Sequence, residues 1–277
     1  MFEFNSNKPS DSKTVFIMIT LIAESKTMTS LQNEIPQEVF LSNTPHFSED
    51  ADNIMRYLNS LNTDELASRI SISPALASKA RALIYDYPNK STGCDALHAF
   101  TGEVFRGLDT PSLKTEDIDF SQSHLMIVSS LYGLVKPKDI IKPYRLDFNA
   151  DCSPEGGKLN KFWKSKLTIA FVKHLQQTGE KEVLDLLPGE AAKCLDWKII
   201  RRFAKVIKAD FKTIAENGDY KTPHSGKLKE LRGKMLRTIL TDRIDDFNTL
   251  LHIETQSFSA DPDSHRPGLP LFVATAG

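Results

Sequence analysis

Cysteine is scarce. The 277 residues hold only Cys94, Cys152 and Cys194, far apart, with no C-x-x-C pair and no paired-histidine spacing. This argues against a disulfide framework and a structural zinc site, and it suits a reducing compartment. Long apolar runs are missing too. None approaches the roughly 18 residues of a membrane span, and the most apolar early run, residues 16–23, is too short for a signal peptide. A cytoplasmic protein with no membrane partner is expected. Excess charge of one sign is also absent. The formal net charge is -1, so no global field draws the chain onto nucleic acid, and any such binding must come from a local basic face. Neither a Gly-Lys-Ser/Thr triplet nor a dinucleotide-type glycine spacing occurs. The histidines and cysteines show no facial-triad spacing or thiolate cluster, so no metal and no cofactor is expected.

What is present is the make-up of an ordinary globular chain, 40% hydrophobic and 26% charged. Branched apolar runs at 15–22, 125–128 and 182–187 read as strands. Residues 48–87 read as helices, with Ser48, Thr63 and Ser73-Pro74 as start signals. Another short helix is expected over 115–123. Residues 158–177 and 227–243 carry apolar stripes at helical spacing beside lysines and arginines, and so read as two amphipathic helices with basic faces. Residues 203–215 and 220–222, joined by Asn217-Gly218-Asp219, read as a hairpin, and 269–274 as an edge strand. The expectation is an α/β (mixed α+β) fold, a mixed sheet surrounded by helices, in one domain over 14–277 behind a flexible leader at 1–13.

One stretch organises the rest. Residues 129–147 follow the 125–128 strand and pack Tyr132, Lys136, Lys138, Asp139, Lys142, Tyr144 and Arg145 into a loop punctuated by Gly133, Pro137 and Pro143. Loops delivered by a buried strand are where sites usually sit. Residues 138–141, between the prolines, have room for about one helical turn. The plain alternative is a solvated strand-to-helix connection in which Tyr132 and Tyr144 are packed rings and Asp139 pairs with Arg145 or caps the turn.

These residues carry a resemblance. Ala-Phe-Thr-Gly-Glu-Val-Phe-Arg-Gly-Leu at 99–108, Ser-Ser-Leu-Tyr-Gly at 129–133, Lys-Pro-Lys-Asp at 136–139, Lys-Pro-Tyr-Arg-Leu at 142–146 and Phe162-Trp163 resemble the YaaA peroxide-stress family. Lys26-Thr27, Glu190, Lys193, Lys229, Arg232-Gly233 and Met235 continue it in register. The resemblance implies a bacterial cytoplasmic protein that binds DNA through a positively charged cleft and keeps free iron low under hydrogen peroxide. It also implies a helix-hairpin-helix-like element, which falls here on residues 131–145. The chain departs from the family pattern at Ala23-Glu24-Ser25, Asp185, Pro188, Ala191, Lys227, Glu230 and Thr255-Gln256.

Two readings follow. In the first, Lys136, Lys138, Lys142, Arg145, Lys158, Lys161, Lys164, Lys229, Arg232, Lys234 and Arg237 converge on a groove that holds DNA by backbone or shape, with low sequence specificity. In the second, Lys26, Tyr132, Asp139, Tyr144 and Arg145 form a glycosylase-like site for a nucleobase or nucleotide, in which a carboxylate, an amine and phenols do acid-base or nucleophilic work.

Overall fold

A computed structural model describes residues 18–29, 33–34, 36–89, 92–261 and 268–274. The expected leader at 1–13 and residues 15–17 of the first strand lie outside these. The chain opens with strand β1 (Met18–Ala23), the short β2 (Asn33–Glu34) and helices α1 (Gln37–Ser42), α2 (Ser48–Ser60), α3 (Thr63–Arg69) and α4 (Pro74–Asp86). α3 begins at Thr63 and α4 behind Ser73-Pro74 as read, whereas Ser48 is the first helical residue of α2 and does not cap it, the N-cap being Phe47 with no side-chain bond. Asn62 and Glu65 form a reciprocal capping box on α3, and Ser73 caps α4 ahead of Pro74. Next come β3 (Thr92–Asp95), α5 (Ala96–Ala99), α6 (Glu103–Leu108), α7 (Thr115–His124), β4 (Leu125–Ser129), β5 (Gly133–Val135) and β6 (Ile140–Ile141). The last part runs through α8 (Leu159–Thr178), β7 (Glu182–Asp185), α9 (Gly189–Ala192), α10 (Trp197–Ile200), β8 (Lys205–Lys208), β9 (Asp210–Ile214), β10 (Tyr220–Lys221), α11 (Ser225–Thr241), α12 (Phe247–Leu250), β11 (Phe258–Ala260) and β12 (Leu271–Ala274).

The main sheet has the order β5-β4-β1-β7-β8. β1 pairs parallel with β4 and β7, β7 pairs parallel with β8, and β5 alone runs antiparallel, against β4. Every residue of β1 is buried, as continuous branched apolar runs require when helices cover both faces. Trp163 of α8 is fully buried and ties helix to sheet by donating its indole N–H to Ser130 O at 2.8 Å. A second sheet has the order β10-β9-β12-β11, and a third joins β2, β3 and β6.

Three expectations are corrected. Residues 203–215 are not one strand: β8 belongs to the main sheet and β9 to the second, with only Ala209 between them. The strand at 269–274 is not an edge, because β12 lies between β9 and β11. Residues 131–145 contain no helix, hence no helix-hairpin-helix placed there; they form β5, a turn at 137–138, β6 and extended chain. Gly133 turns the chain at φ +70°, and a Cβ there would sit 2.8 Å from Leu167 and 3.1 Å from Trp163, so tight packing under α8 demands glycine. The apolar residues beyond it then pair with β4 and β3 instead of turning into a helix.

Candidate functional site

The carboxyl ends of β1, β4 and β7 lie side by side, and the order of the sheet reverses at β1, with β4 and β5 on one side and β7 and β8 on the other. In open α/β sheets the crevice at such a switch point is where ligands bind. A cleft of about 280 Å³ opens there, lined by residues 23–27, the start of α6 with Gly102 and Arg106, Asp147, Phe148, Pro188, Glu190, and Lys229 and Arg232 of α11.

Each wall has a local cause. The turn after β1 is fixed by Glu24 N donating to Val128 O (2.9 Å), by Ser25 Oγ accepting from Thr27 N (3.1 Å) and by Thr101 N donating to Thr27 O (3.0 Å). Gly102 lets this turn pack against α6, since a Cβ there would lie 2.1 Å from Ser25 Oγ. α11 buries Leu231, Met235, Leu236, Ile239 and Leu240. That leaves Lys229 exposed and Arg232 half-buried where they border the cleft.

Behind the β1 turn lies a polar network. The Glu24 carboxylate accepts from Ser130 N (2.8 Å), Ser130 Oγ (2.6 Å) and the Tyr144 hydroxyl. Tyr144 also bonds Ser129 Oγ (2.7 Å), which accepts from Tyr132 N (2.9 Å). Enclosure by protein raises the Glu24 pKa to about 7, against the opposing pull of its hydrogen bonds. Burial, then the neighbouring Glu24 charge, holds the Tyr144 phenol well above its ordinary range, so it acts as a donor. Lys26 Nζ meets Asp147 Oδ2 at 3.2 Å. Arg145 donates to Lys26 O at 3.4 Å, while its buried Nε has no partner. Among the described residues Glu190 receives only a long contact, from Asn149 Nδ2 at 3.5 Å. At the end of β7, Asp185 is pushed up by burial and accepts from Leu187 N (2.8 Å).

The structure divides the expected residues. Lys26, Lys229 and Arg232 meet in the cleft, with Tyr144 and Arg145 supporting its β1 turn. Tyr132 is a packed ring whose hydroxyl accepts from Lys142 N (3.1 Å). Asp139 lies elsewhere, lining with Lys136 a separate depression of about 740 Å³. It caps the 137–138 turn by accepting from Lys136 N (2.9 Å) and does not pair with Arg145, and burial raises its pKa to about 6. Lys142 is 4% exposed, with Nζ donating to Asp86 O (2.6 Å), Asp86 Oδ2 (2.8 Å) and Asn89 O (2.8 Å), so it is a structural cation and not a DNA contact. Lys138 pairs with Asp119, Lys164 with Asp196, Lys234 with Glu230, and Arg237 with Asp109 and the Leu108 carbonyl. Lys158 and Lys161 are exposed at the start of α8 and do not line the cleft. The eleven-residue groove read from the sequence therefore does not form as one surface.

Sequence reasoning missed Glu24 as a site residue, and with it Ser130. The one signal was a carboxylate where the family pattern has none, directly after the central strand. The thiols are not poised for chemistry: burial pushes Cys94 up to about 11 and Cys152 and Cys194 each up to about 12, so little thiolate is present near neutral pH. Among the described residues no helix is long and apolar enough to cross a membrane.

A sequence model described as peroxide stress protein YaaA matches residues 18–264. A relative from Parabacteroides distasonis named UPF0246 protein is 31% identical over 245 residues, covering 87% of this chain and 94% of the relative. Proteins of the same name from Francisella tularensis subsp. novicida and subsp. tularensis are also 31% identical. The first match covers 83% of this chain and 90% of the relative. The second covers 92% and 100%. The family match over residues 18–264 and the 31% identity across nearly the whole length of the relatives agree: the chain belongs to the peroxide stress protein YaaA family.

Proposed function

We propose that the protein serves the response to hydrogen peroxide by binding DNA at the cleft beyond β1, β4 and β7, and that it thereby helps limit free iron and DNA damage. The observation that carries this reading is the charge state of the cleft wall. Lys229 and Arg232 border the opening next to Lys26, and neither has a carboxylate within ion-pair distance among the described residues, whereas most other candidate cations are already neutralised. Free cations that bind phosphates release the counterions condensed there, which drives association; paired ones must first lose their partner. Recognition is by backbone or shape. Fluorescence-anisotropy titration with duplex, single-stranded and abasic DNA across a salt series tests it. The Lys229→Ala/Arg232→Ala variant is expected to bind about tenfold or more weakly, with a salt slope shallower by about 2. Flat traces for the unaltered protein at low salt overturn the reading.

A second reading, a nucleobase- or nucleotide-processing enzyme, draws support from Glu24. A carboxyl group with a pKa of about 7, held beside a phenol and a serine hydroxyl at the edge of the same cleft, is tuned for proton exchange near neutral pH. A turnover screen over nucleotides and damaged DNA tests it. Activity that survives Glu24→Gln removes this role.

A further inference from the structure

The cleft is small, and its cations outside α11, Lys26 and Arg106, are already ion-paired. At about 280 Å³ it falls just under the usual span of small-molecule pockets, so a DNA strand or duplex lies across its opening while the interior matches one nucleotide-sized unit. Its unpaired cations, Lys229 and Arg232, come one turn apart from α11, so they can address a single group together. Burial draws the Arg232 guanidinium pKa down, against the pull of Asp185, so this side chain gains much from a desolvated anion. The other elements bring four carboxylates: Asp147, which holds Lys26 at 3.2 Å, Glu103, which pairs with Arg106, Glu24, which is engaged by Ser130 and Tyr144, and Glu190, whose one contact among the described residues is Asn149 at 3.5 Å. A strand threading this space would bring successive phosphates up against Glu190 and Asp147. A ligand with one anionic end and one hydroxyl-bearing end meets no such repulsion.

We propose that the inner cleft is a subsite for a single phosphomonoester of a hydroxyl-bearing sugar, of nucleoside monophosphate size, with the phosphate on Lys229 and Arg232 and the sugar hydroxyls on Glu190. A phosphomonoester carries about -1.5 to -2 charge at pH 7 and so matches two cations better than the single charge of a backbone diester. Arg232 supplies a planar donor fork for the phosphate oxygens. A carboxylate is acceptor-only, which suits Glu190 to a hydroxyl. This goes beyond the DNA-binding reading and draws on the same two cations. The same chemistry is offered by a free nucleotide or by the phosphorylated end of a DNA strand.

Isothermal titration calorimetry on the full chain tests the subsite with thymidine 5′-monophosphate, adenosine 5′-monophosphate, the two unphosphorylated nucleosides and inorganic phosphate. Two single strands of one sequence, with and without a 5′-phosphate, complete the set. Both monophosphates are expected to bind at least tenfold more tightly than their nucleosides. Arg232→Ala is expected to abolish that difference and Arg232→Lys to restore part of it. Glu190→Gln is expected to weaken the monophosphates several-fold while leaving inorganic phosphate unchanged, which a merely structural role would not do. A preference of tenfold or more for the 5′-phosphorylated strand identifies strand ends as the source, and equal binding of the two strands beside tight monophosphate binding identifies free nucleotides. If monophosphates bind no better than nucleosides while both strands still bind and lose affinity in Lys229→Ala/Arg232→Ala, the subsite is overturned and the DNA reading stands. If monophosphates bind and neither strand does, the DNA reading falls and the subsite stands.

Discussion

Gly107 of α6 and Gly233 of α11 stand against each other, so close that a Cβ built on Gly233 would lie 2.9 Å from the Gly107 Cα and 2.0 Å from Val104 O. The reverse holds as well: a Cβ on Gly107 would lie 2.4 Å from Glu230 O. This contact sets how near Lys229 and Arg232 come to the β1 turn. Gly233→Ala is therefore expected to force the helices apart, costing about 1–3 kcal/mol in urea unfolding and weakening DNA binding in the anisotropy assay. Unchanged stability and affinity would show that the helices do not need this approach.

Glu230 bridges two lysines of the same helix, Lys234 at 2.7 Å and Lys227 at 3.4 Å, and the hydrogen bond from Lys234 is the largest influence holding its carboxyl below the usual range. It stands where the family pattern has a second lysine. Removing it with Glu230→Gln frees both amines. DNA affinity is expected to rise several-fold at low salt and converge with that of the unaltered protein at high salt, the slope steepening by up to about 2. Superimposable salt series would place α11 outside the interface.

The fold favours the protonated form of Glu24, because burial lifts its pKa from 4.5 to about 7. Its contribution to stability is full below the unfolded-state value and is lost as pH rises through about 7. Thermal melts from pH 5 to 8.5 are expected to show the unaltered protein losing stability relative to Glu24→Gln, by at most on the order of 3 kcal/mol. Parallel pH profiles would mean that Glu24 is not enclosed as described.

Lys142 and Lys138 make a contrasting pair four residues apart. Lys142→Ala removes a nearly buried amine with its three hydrogen bonds to Asp86 and Asn89, and is expected to cost about 2–4 kcal/mol in unfolding with the salt slope for DNA unchanged. Lys138, half-buried with its amine paired to Asp119, is expected to change stability by less than about 1 kcal/mol on truncation, again with DNA affinity within twofold. Loss of DNA binding in Lys138→Ala at full stability would return residues 136–145 to the interface.

Much of the scaffold was legible because its signals are local. Branched runs gave β1, β4 and β7, helical spacing gave α8 and α11, and Asn217-Gly218-Asp219 gave the β9–β10 hairpin. The misreadings have non-local causes. Ile140 and Ile141 read as part of a helical turn because a short apolar run has no period of its own; pairing with Cys94 and Asp95 makes them a strand. The basic residues could be counted, but their partners, Asp119, Asp196, Asp109 and Asp86, lie far off in sequence or on another element, so a row of lysines resolved into ion pairs. Lys26 was legible from its turn after the first strand and Lys229 and Arg232 from the basic face of α11, and the family's motifs repeat all three. Glu24 stood out only as a departure from them.

The passage from β8 to β9 across Ala209 has a mechanical consequence. Lys208 N donates to Gly268 O and Asp210 N to Pro270 O, each at 3.0 Å, so the chain is latched to the segment leading into β12 on either side of the crossing. A separation of the two sheets would have to break these latches before β7 lost its neighbour β8. The small sheet accordingly acts as a brace for the strand beside β7, and the amides of Val206 and Phe211 should exchange with solvent as one cooperative unit.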